Sequence, residues 1–363
     1  PDRVLFDCQV RRGDTVLLAG TVTVRAPLSS QVVDGRDAPN VVLRRHDVFG
    51  RLFRECEAQP AVRCAVVHPC DAASLGGALE AARQGLIEPV LVGPQGKIRA
   101  VALAEGWDLS PYRLVPTEHS HAAAEAAVAL AKTGEVQALM KGSLHTDELM
   151  AAVVASGTGL RTGRRVSHVF VMDVPAYPRM LLVTDAAINI APGIRDKVDI
   201  VQNAIDLAQV LGVVEPKVAI LAAVETVNPE MAATIDAAML CKMADRGQIT
   251  GGLVDGPLAF DNAVSVEAAQ TKHIVSSVAG RADILVVPNL EAGNMVAKQL
   301  QYLAGADSAG IVLGARVPII LTSRADSVRT RLASAAVLKL LARAQQLKAQ
   351  QALQAAQADG AKA

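Results

Sequence analysis

Within Thr322-Ser323-Arg324-Ala325-Asp326-Ser327 a hydroxyl, a guanidinium and a carboxylate fall together, directly after the apolar run Val317-Pro318-Ile319-Ile320-Leu321. Such a group can hold and polarise an anion, because arginine offers a planar fork of N–H donors matched to phosphate or carboxylate. A long helical pattern follows, from Val328 to about Ala344. The unpaired N–H groups of a first helical turn, and the helix dipole, favour negative charge there. The same residues also have a purely structural reading. Ser323-x-x-Asp326 fits a capping box, which does no more than start the helix.

Similar junctions recur along the chain. Lys141-Gly142-Ser143 follows Val136–Met140, with a helix expected near His145. The lysine would supply charge and the glycine would let backbone approach a ligand; the alternative is a plain turn with a solvated lysine. Asp185 follows Met180–Thr184 and leads through Asn189 to Ala191-Pro192-Gly193. Asp255-Gly256-Pro257, with Asp261 and Asn262, reads as a tight loop before a helix, and turn chemistry alone explains much of it. Glu291-Ala292-Gly293-Asn294 follows Ile284–Val287, and Lys298 lies on the same helix face as Asn294. Loops after strands are where α/β folds assemble ligand sites, so these junctions together point to a phosphate-type ligand.

Other chemistries lack their signatures. There is no GxxxxGK[ST], no HExxH and no GxSxG, and Gly157, Gly159 and Gly163 miss the GxGxxG spacing. Glu118-His119-Ser120-His121 has no third metal ligand nearby and precedes an Ala-rich helix, so capping is the expected role.

These residues need elements to position them. β-rich runs at Ala61–Val67, Val90–Val92, Val136–Met140, His168–Val174, Met180–Thr184, Lys217–Ala222, Ile284–Val287 and Val317–Leu321 alternate with helical patterns. Between Arg195 and Leu211, Val198, Val201, Ile205, Ala208 and Leu211 share a face, with Gly212 placed to end the helix. The alternation predicts an α/β protein with a mainly parallel sheet and helices on both faces. Residues 1–27 differ: Thr21-Val22-Thr23-Val24 alternates with period two, as in a hairpin. Two strands cannot bury a face alone, so this stretch reads as the tail of a domain mostly outside the chain. Residues 28–40 read as a linker, and the Ala/Gln-rich 346–363 as a disordered tail.

Composition narrows the class. Of 363 residues 51% are hydrophobic and 2% aromatic, and the formal net charge is zero. Two domains with large cores are expected, and nucleic-acid binding, which needs a basic stripe, is not. No apolar run approaches the roughly 18 residues of a membrane span. Cys8, Cys56, Cys64, Cys70 and Cys241 form no CxxC pair, which suits reduced thiols in the cytoplasm. The chain starts at Pro1 without a signal-peptide pattern and reads as a fragment or processed product.

In order, Lys141-Gly142, Asp185-Ala186-Ala187-Ile188-Asn189, Asp255-Gly256-Pro257-Leu258-Ala259-Phe260-Asp261, Ala292-Gly293-Asn294 with Lys298, and Ser323-Arg324-Ala325-Asp326-Ser327 resemble the phosphate acetyltransferases and phosphate butyryltransferases, over about residues 41 to 345. The resemblance implies a two-domain fold like that of isocitrate/isopropylmalate dehydrogenases, with a cleft between domains. Domain I would be 41–160 plus 315–345 and domain II 161–314. It implies acyl-CoA plus phosphate giving acyl phosphate plus CoA, without metal or bound cofactor, in a homodimer or higher homo-oligomer. Residues 1–27 resemble the last strands of a MaoC-like hot-dog domain. The whole chain then resembles the C-terminal part of a bifunctional enoyl-CoA hydratase/phosphate acetyltransferase, most of the hydratase domain being absent.

Carried onto this chain, the resemblance makes Ser323, Arg324 and Asp326 catalytic. Substrate binding would fall to Lys141, Gly142, Asp185, Asn189, Asp255, Gly256, Asp261, Gly293, Asn294, Lys298, Tyr302 and Thr330. Arg324 and Lys141 would hold phosphate, and the Ser323 hydroxyl the oxyanion or CoA sulfur, with direct transfer in a ternary complex. Two positions depart from the acetyl-specific pattern: Thr330 replaces an aspartate and Tyr302 an arginine. Both lean toward butyryl-type members and leave the proton acceptor open, since Asp326 is expected to cap the helix. The runner-up is a non-catalytic acyl-CoA-sensing domain. An NAD-dependent dehydrogenase of the same fold class would need a dense aspartate cluster that the sequence lacks.

Overall fold

The computed structural model describes residues 3–12, 15–25, 47–323 and 326–360. The chain divides into two compact units, Pro1–Leu43 and Arg44–Ala363. The linker expected over 28–40 lies outside the described residues, as does Arg324. In the first unit β1 (Arg3–Arg12) and β2 (Thr15–Arg25) form an antiparallel hairpin. The alternating stretch Thr21–Val24 pairs with Val4–Asp7, a pleated arrangement that β-branched residues suit.

The second unit opens with α1 (Val48–Glu57), capped by Asp47, whose carboxylate accepts from the Gly50 N–H at 2.9 Å. Strand and helix then alternate: β3 (Val62–Val67), α2 (Ala72–Arg83), β4 (Ile87–Gly93), α3 (Gln95–Glu105), β5 (Arg113–Pro116), α4 (Ser120–Lys132), β6 (Ala138–Lys141) and α5 (Thr146–Val154). Next come β7 (Ser167–Asp173), β8 (Leu181–Thr184), α6 (Ile194–Val210), β9 (Lys217–Leu221), α7 (Ala232–Asp245), β10 (Leu253–Leu258), α8 (Phe260–Val264) and α9 (Val266–Thr271). The chain ends with β11 (Ile284–Val286), α10 (Leu290–Tyr302), β12 (Asp307–Leu313), β13 (Ile319–Ile320) and α11 (Val328–Gly360).

One mixed sheet of 11 strands results, in the order β10-β9-β11-β8-β7-β12-β13-β6-β3-β4-β5. β13, β6, β3, β4 and β5 are parallel to one another. β8, β11, β9 and β10 form a second parallel set. Between them β7 and β12 pair antiparallel with each other and with their outer neighbours, so the two sets run in opposite directions. Helices cover both faces. In β3, Cys64 and Val66 belong to one core cluster while Ala65 and Val67 join another, as the period of two requires.

Four local readings change. β5 and β12 were not expected; β12 begins Asp307-Ser308-Ala309-Gly310, a run whose small residues give little strand signal. Asp255-Gly256-Pro257 lies inside β10 rather than in a loop, since pairing with β9 overrides its turn chemistry. The stretch after 345, expected to be disordered, continues α11 to Gly360. It is built from strong helix formers and meets no helix breaker before that glycine.

Candidate active site

A pocket of about 370 Å³ opens where the two parallel sets meet. Its walls are Lys141, Leu144, His145, Thr146, His168, Phe170, Ala187, Asn294, Lys298, Leu321, Thr322, Ser323 and Asp326. Lys141, Asn294, Lys298, Ser323 and Asp326, singled out from the sequence, therefore share one cavity. Two ammonium groups face one carboxylate there, a balance that favours an anion.

The segment bearing Ser323 is held from two sides. Asp326 Oδ2 accepts from the Ser323 N–H at 2.7 Å, and the Asp326 N–H donates to the Ser323 carbonyl at 3.2 Å. From α11, Arg331 donates to Thr322 Oγ1 and to the Ser323 carbonyl, both at 2.9 Å. Arg331 is buried, and sequence reasoning missed it. The helix cap is Ser327 rather than Ser323: its hydroxyl accepts from the Thr330 N–H at 3.1 Å and its carbonyl from the Arg331 N–H at 3.2 Å. The Ser323–Asp326 turn precedes that cap, and Asp326 orients Ser323. Thr330 is buried in the first helical turn, 3.1 Å from the Ser327 hydroxyl, and does not line the pocket.

Lys141 ends β6 and is buried, with Nζ 3.3 Å from the Gly142 carbonyl. Gly142 is also required by packing. A Cβ there would press into the Val67 and His68 carbonyls, the latter at 2.6 Å. Asp185 and Asn189 shape the loop instead of facing the cavity. The Asp185 carboxylate accepts from the backbone N–H groups of Ala187 (2.9 Å), Ile188 (3.0 Å) and Asn189 (3.2 Å) and from Asn189 Nδ2 (2.6 Å). Asn189 also donates to the Val166 carbonyl at 2.9 Å. This web places Ala187 on the wall. Gly293 packs against the Asp185 carbonyl, and Asn294 Nδ2 lies 3.4 Å from the Ala186 carbonyl.

Tyr302 is 64% exposed and lies off the wall, its ring 5.7 Å beneath Lys298 Nζ. It supports Lys298 through a cation–π contact. Asp255, Gly256 and Asp261 are not brought to this cavity. Asp255 and Gly256 lie in β10, three strands beyond β8 in the sheet, about 14 Å at ~4.8 Å per strand, and Asp261 lies in α8 directly after it. Asp261 pairs there with Lys272 at 3.1 Å, which keeps its carboxyl below the usual range. His119 caps α4, with Nδ1 accepting from the Ala122 N–H at 3.2 Å. Among the described residues no group of three or more His, Cys, Asp or Glu could hold a metal ion.

His168 is the second residue the sequence reading passed over. It is 1% exposed, and burial brings its pKa down to about 4; Asp185 opposes the shift and Lys298 adds to it. Unfolded, the same ring takes up a proton near 6.5. The folded protein therefore keeps its full stability above about pH 6.5 and loses up to about 3 kcal/mol as pH falls toward 4. Urea midpoints measured across that range should fall steeply for the wild type and less steeply for His168→Asn. Equal slopes would show that the ring is not held neutral.

A family model described as phosphate acetyl/butaryl transferase matches residues 117–338, more than half of the chain. The chain belongs to this family. The phosphate acetyltransferase of Rhizobium meliloti is 62% identical over 294 residues, covering 81% of this chain and 93% of that one. The phosphate butyryltransferase of Clostridium acetobutylicum is 40% identical over 294 residues, covering 81% of this chain and 98% of that one. Among solved structures, a branched-chain phosphotransacylase from Enterococcus faecalis V583 matches with a TM-score of 0.68 and 30% identity, over 77% of this chain and 99% of that one. Membership in the phosphate acetyl/butyryltransferase family fits the large mixed sheet and the anion-favouring pocket. Among the described residues no helix is long and apolar enough to cross a membrane.

Proposed function

We propose that this chain transfers a short acyl group between coenzyme A and inorganic phosphate, by direct attack of phosphate on the thioester. The observation that carries the reading is the convergence of Lys141, Asn294, Lys298 and Ser323 on one cavity. Lys141 and Lys298 supply positive charge for phosphate, with Arg324 adding a bidentate fork from the Ser323 segment. The Ser323 hydroxyl donates to the thioester oxygen as it gains charge. Holding both substrates together supplies much of the rate. Asp326 orients Ser323 and is a positioning residue. In this reading the unit comprises two α/β domains, 41–160 plus 315–345 and 161–314, with the substrates in the cleft between them; the lining of one pocket by residues from both ranges supports it. Acting as a homodimer, without metal or bound cofactor, belongs to the same reading.

The acyl preference is not decided by the two departures that lean toward butyryl, because neither Tyr302 nor Thr330 lines the cavity. Acetyl-, propionyl- and butyryl-CoA should each be incubated with phosphate, and acyl phosphate trapped as the hydroxamate. The expected result is hydroxamate with at least one of them, and intersecting initial-velocity lines when both substrates are varied. Parallel lines would indicate a covalent acyl-enzyme and overturn direct transfer.

A further inference from the structure

The sequence leaves the proton acceptor of this reaction open, and the two nearest candidate positions are engaged elsewhere. Asp326 is committed to the Ser323 N–H at 2.7 Å, and Thr330 sits in the first turn of α11. One other titratable side chain in the cavity wall is nearly fully buried and lacks a partner. His168 is 1% exposed, and its Nδ1 makes no hydrogen bond. Most buried polar groups are paired, because leaving one unpaired costs stability. An imidazole kept this way at the edge of a charged cavity calls for a reason.

The ring's position is fixed by several contacts. Phe170 meets it edge-on at 4.5 Å between centroids. The Thr184 hydroxyl donates to the His168 carbonyl at 2.8 Å and anchors its backbone. On the neighbouring strand, Gly310 leaves room: a Cβ there would lie 3.0 Å from His168 Nε2 and 2.6 Å from the Leu321 carbonyl oxygen. The same absent side chain therefore lets both the imidazole and the approach to Ser323 lie close over β12.

We propose that His168 is a catalytic residue of the acyl transfer, carrying the proton of the attacking hydrogen phosphate to the departing coenzyme A sulfur. The proposal rests on the phosphotransacylase reading above. As a phosphate oxygen bonds to the thioester carbon, Nε2, the ring nitrogen beside the space left by Gly310, takes the P–O–H proton, while the sealed Nδ1 carries the hydrogen of the neutral ring. The carbon–sulfur bond then breaks with its electron pair on sulfur, and the imidazolium returns the proton to that thiolate. Acyl-CoA and the hydrogen phosphate dianion become acyl phosphate dianion and CoA thiol, with His168 neutral again.

The ring's charged surroundings suit this cycle. Asp185 at the end of β8 favours the imidazolium, while Lys298 on α10 disfavours it. Lys141, His145 and Asp326 complete the titratable groups in the same walls. A phosphate dianion bound among them adds negative charge beside the ring, so the proton is accepted more readily with substrate present than without.

The test is His168→Gln, with CoA binding measured beside turnover. The expected result is a fall in kcat of about 100-fold, with CoA affinity kept within about threefold. At saturating phosphate the wild-type kcat should decline on the acid side, and the variant should lose that decline. Turnover within about threefold of wild type, or an unchanged acid limb, would overturn the proposal. If His168→Gln does not fold, carbon-13 histidine spectra of the wild type answer the same question. Inorganic phosphate should raise the midpoint of the buried ring by more than about one pH unit, the direction expected for a nearby opposite charge; an unmoved midpoint would contradict the role. A wild type that releases no thiol from any acyl-CoA would instead sink the phosphotransacylase reading itself.

Discussion

Arg324→Ala should lower turnover by about 100- to 1,000-fold while leaving the melting temperature near wild type. Removing one donor aimed at developing charge costs this much when the site is otherwise intact. The guanidinium follows Ser323 directly, and the Ser323 segment forms a wall of the cavity that also holds Lys141 and Lys298. Its loss should appear both in kcat and in the KM for phosphate, since a bidentate fork serves ground state and transition state together. Arg324→Lys should recover only part of the rate, because a point charge cannot reproduce the fork. Steady-state kinetics with phosphate varied would check both variants. An Arg324→Ala enzyme almost as active as wild type would show that phosphate is held elsewhere.

Arg331→Ala should do comparable damage by another route. This side chain is buried and donates to Thr322 Oγ1 and to the Ser323 carbonyl, both at 2.9 Å. Truncation leaves a hydroxyl and a carbonyl without their donor and should cost about 2–3 kcal/mol of stability. It also frees the segment that carries Ser323, and a displacement of about 1 Å in a positioning residue can cost about 100-fold in rate. Thermal melts and kcat measured together separate the two effects. A destabilised variant with wild-type kcat would mean that Asp326 alone suffices to position Ser323.

Arg331 and His168 also mark where the sequence stopped being legible. Arg331 lies within a helical pattern, and its partner Thr322 is nine residues earlier across a turn, so no local periodicity links them. His168 sits near the start of a mostly apolar strand, where a lone histidine reads as core. Only pairing with β12 and the bare Gly310 reveal the cavity beside it. By contrast, Ser323 and Lys141 were readable because a charged or hydroxyl residue follows each apolar run directly. Asp185 was readable as a strand-end carboxylate, yet its four nearby N–H donors show that it builds the loop. Asp255 and Asp261 looked equivalent to it. Sheet order separates them: β10 belongs to the same parallel set as β8 but lies beyond β11 and β9. Strand order is a long-range property, and strand-to-helix junctions read singly do not encode it.

On the proposed function, phosphate and acyl-CoA meet in the Lys141–Ser323 cavity. Phosphate-dependent release of free thiol from acetyl-, propionyl- and butyryl-CoA, followed for the wild type beside Arg324→Ala, tests it most directly. The expected result is rapid release with phosphate present, almost none without it, and a loss of about 100-fold or more in the variant. CoA binding with no thiol release from any of the three, or full release by Arg324→Ala, would contradict it.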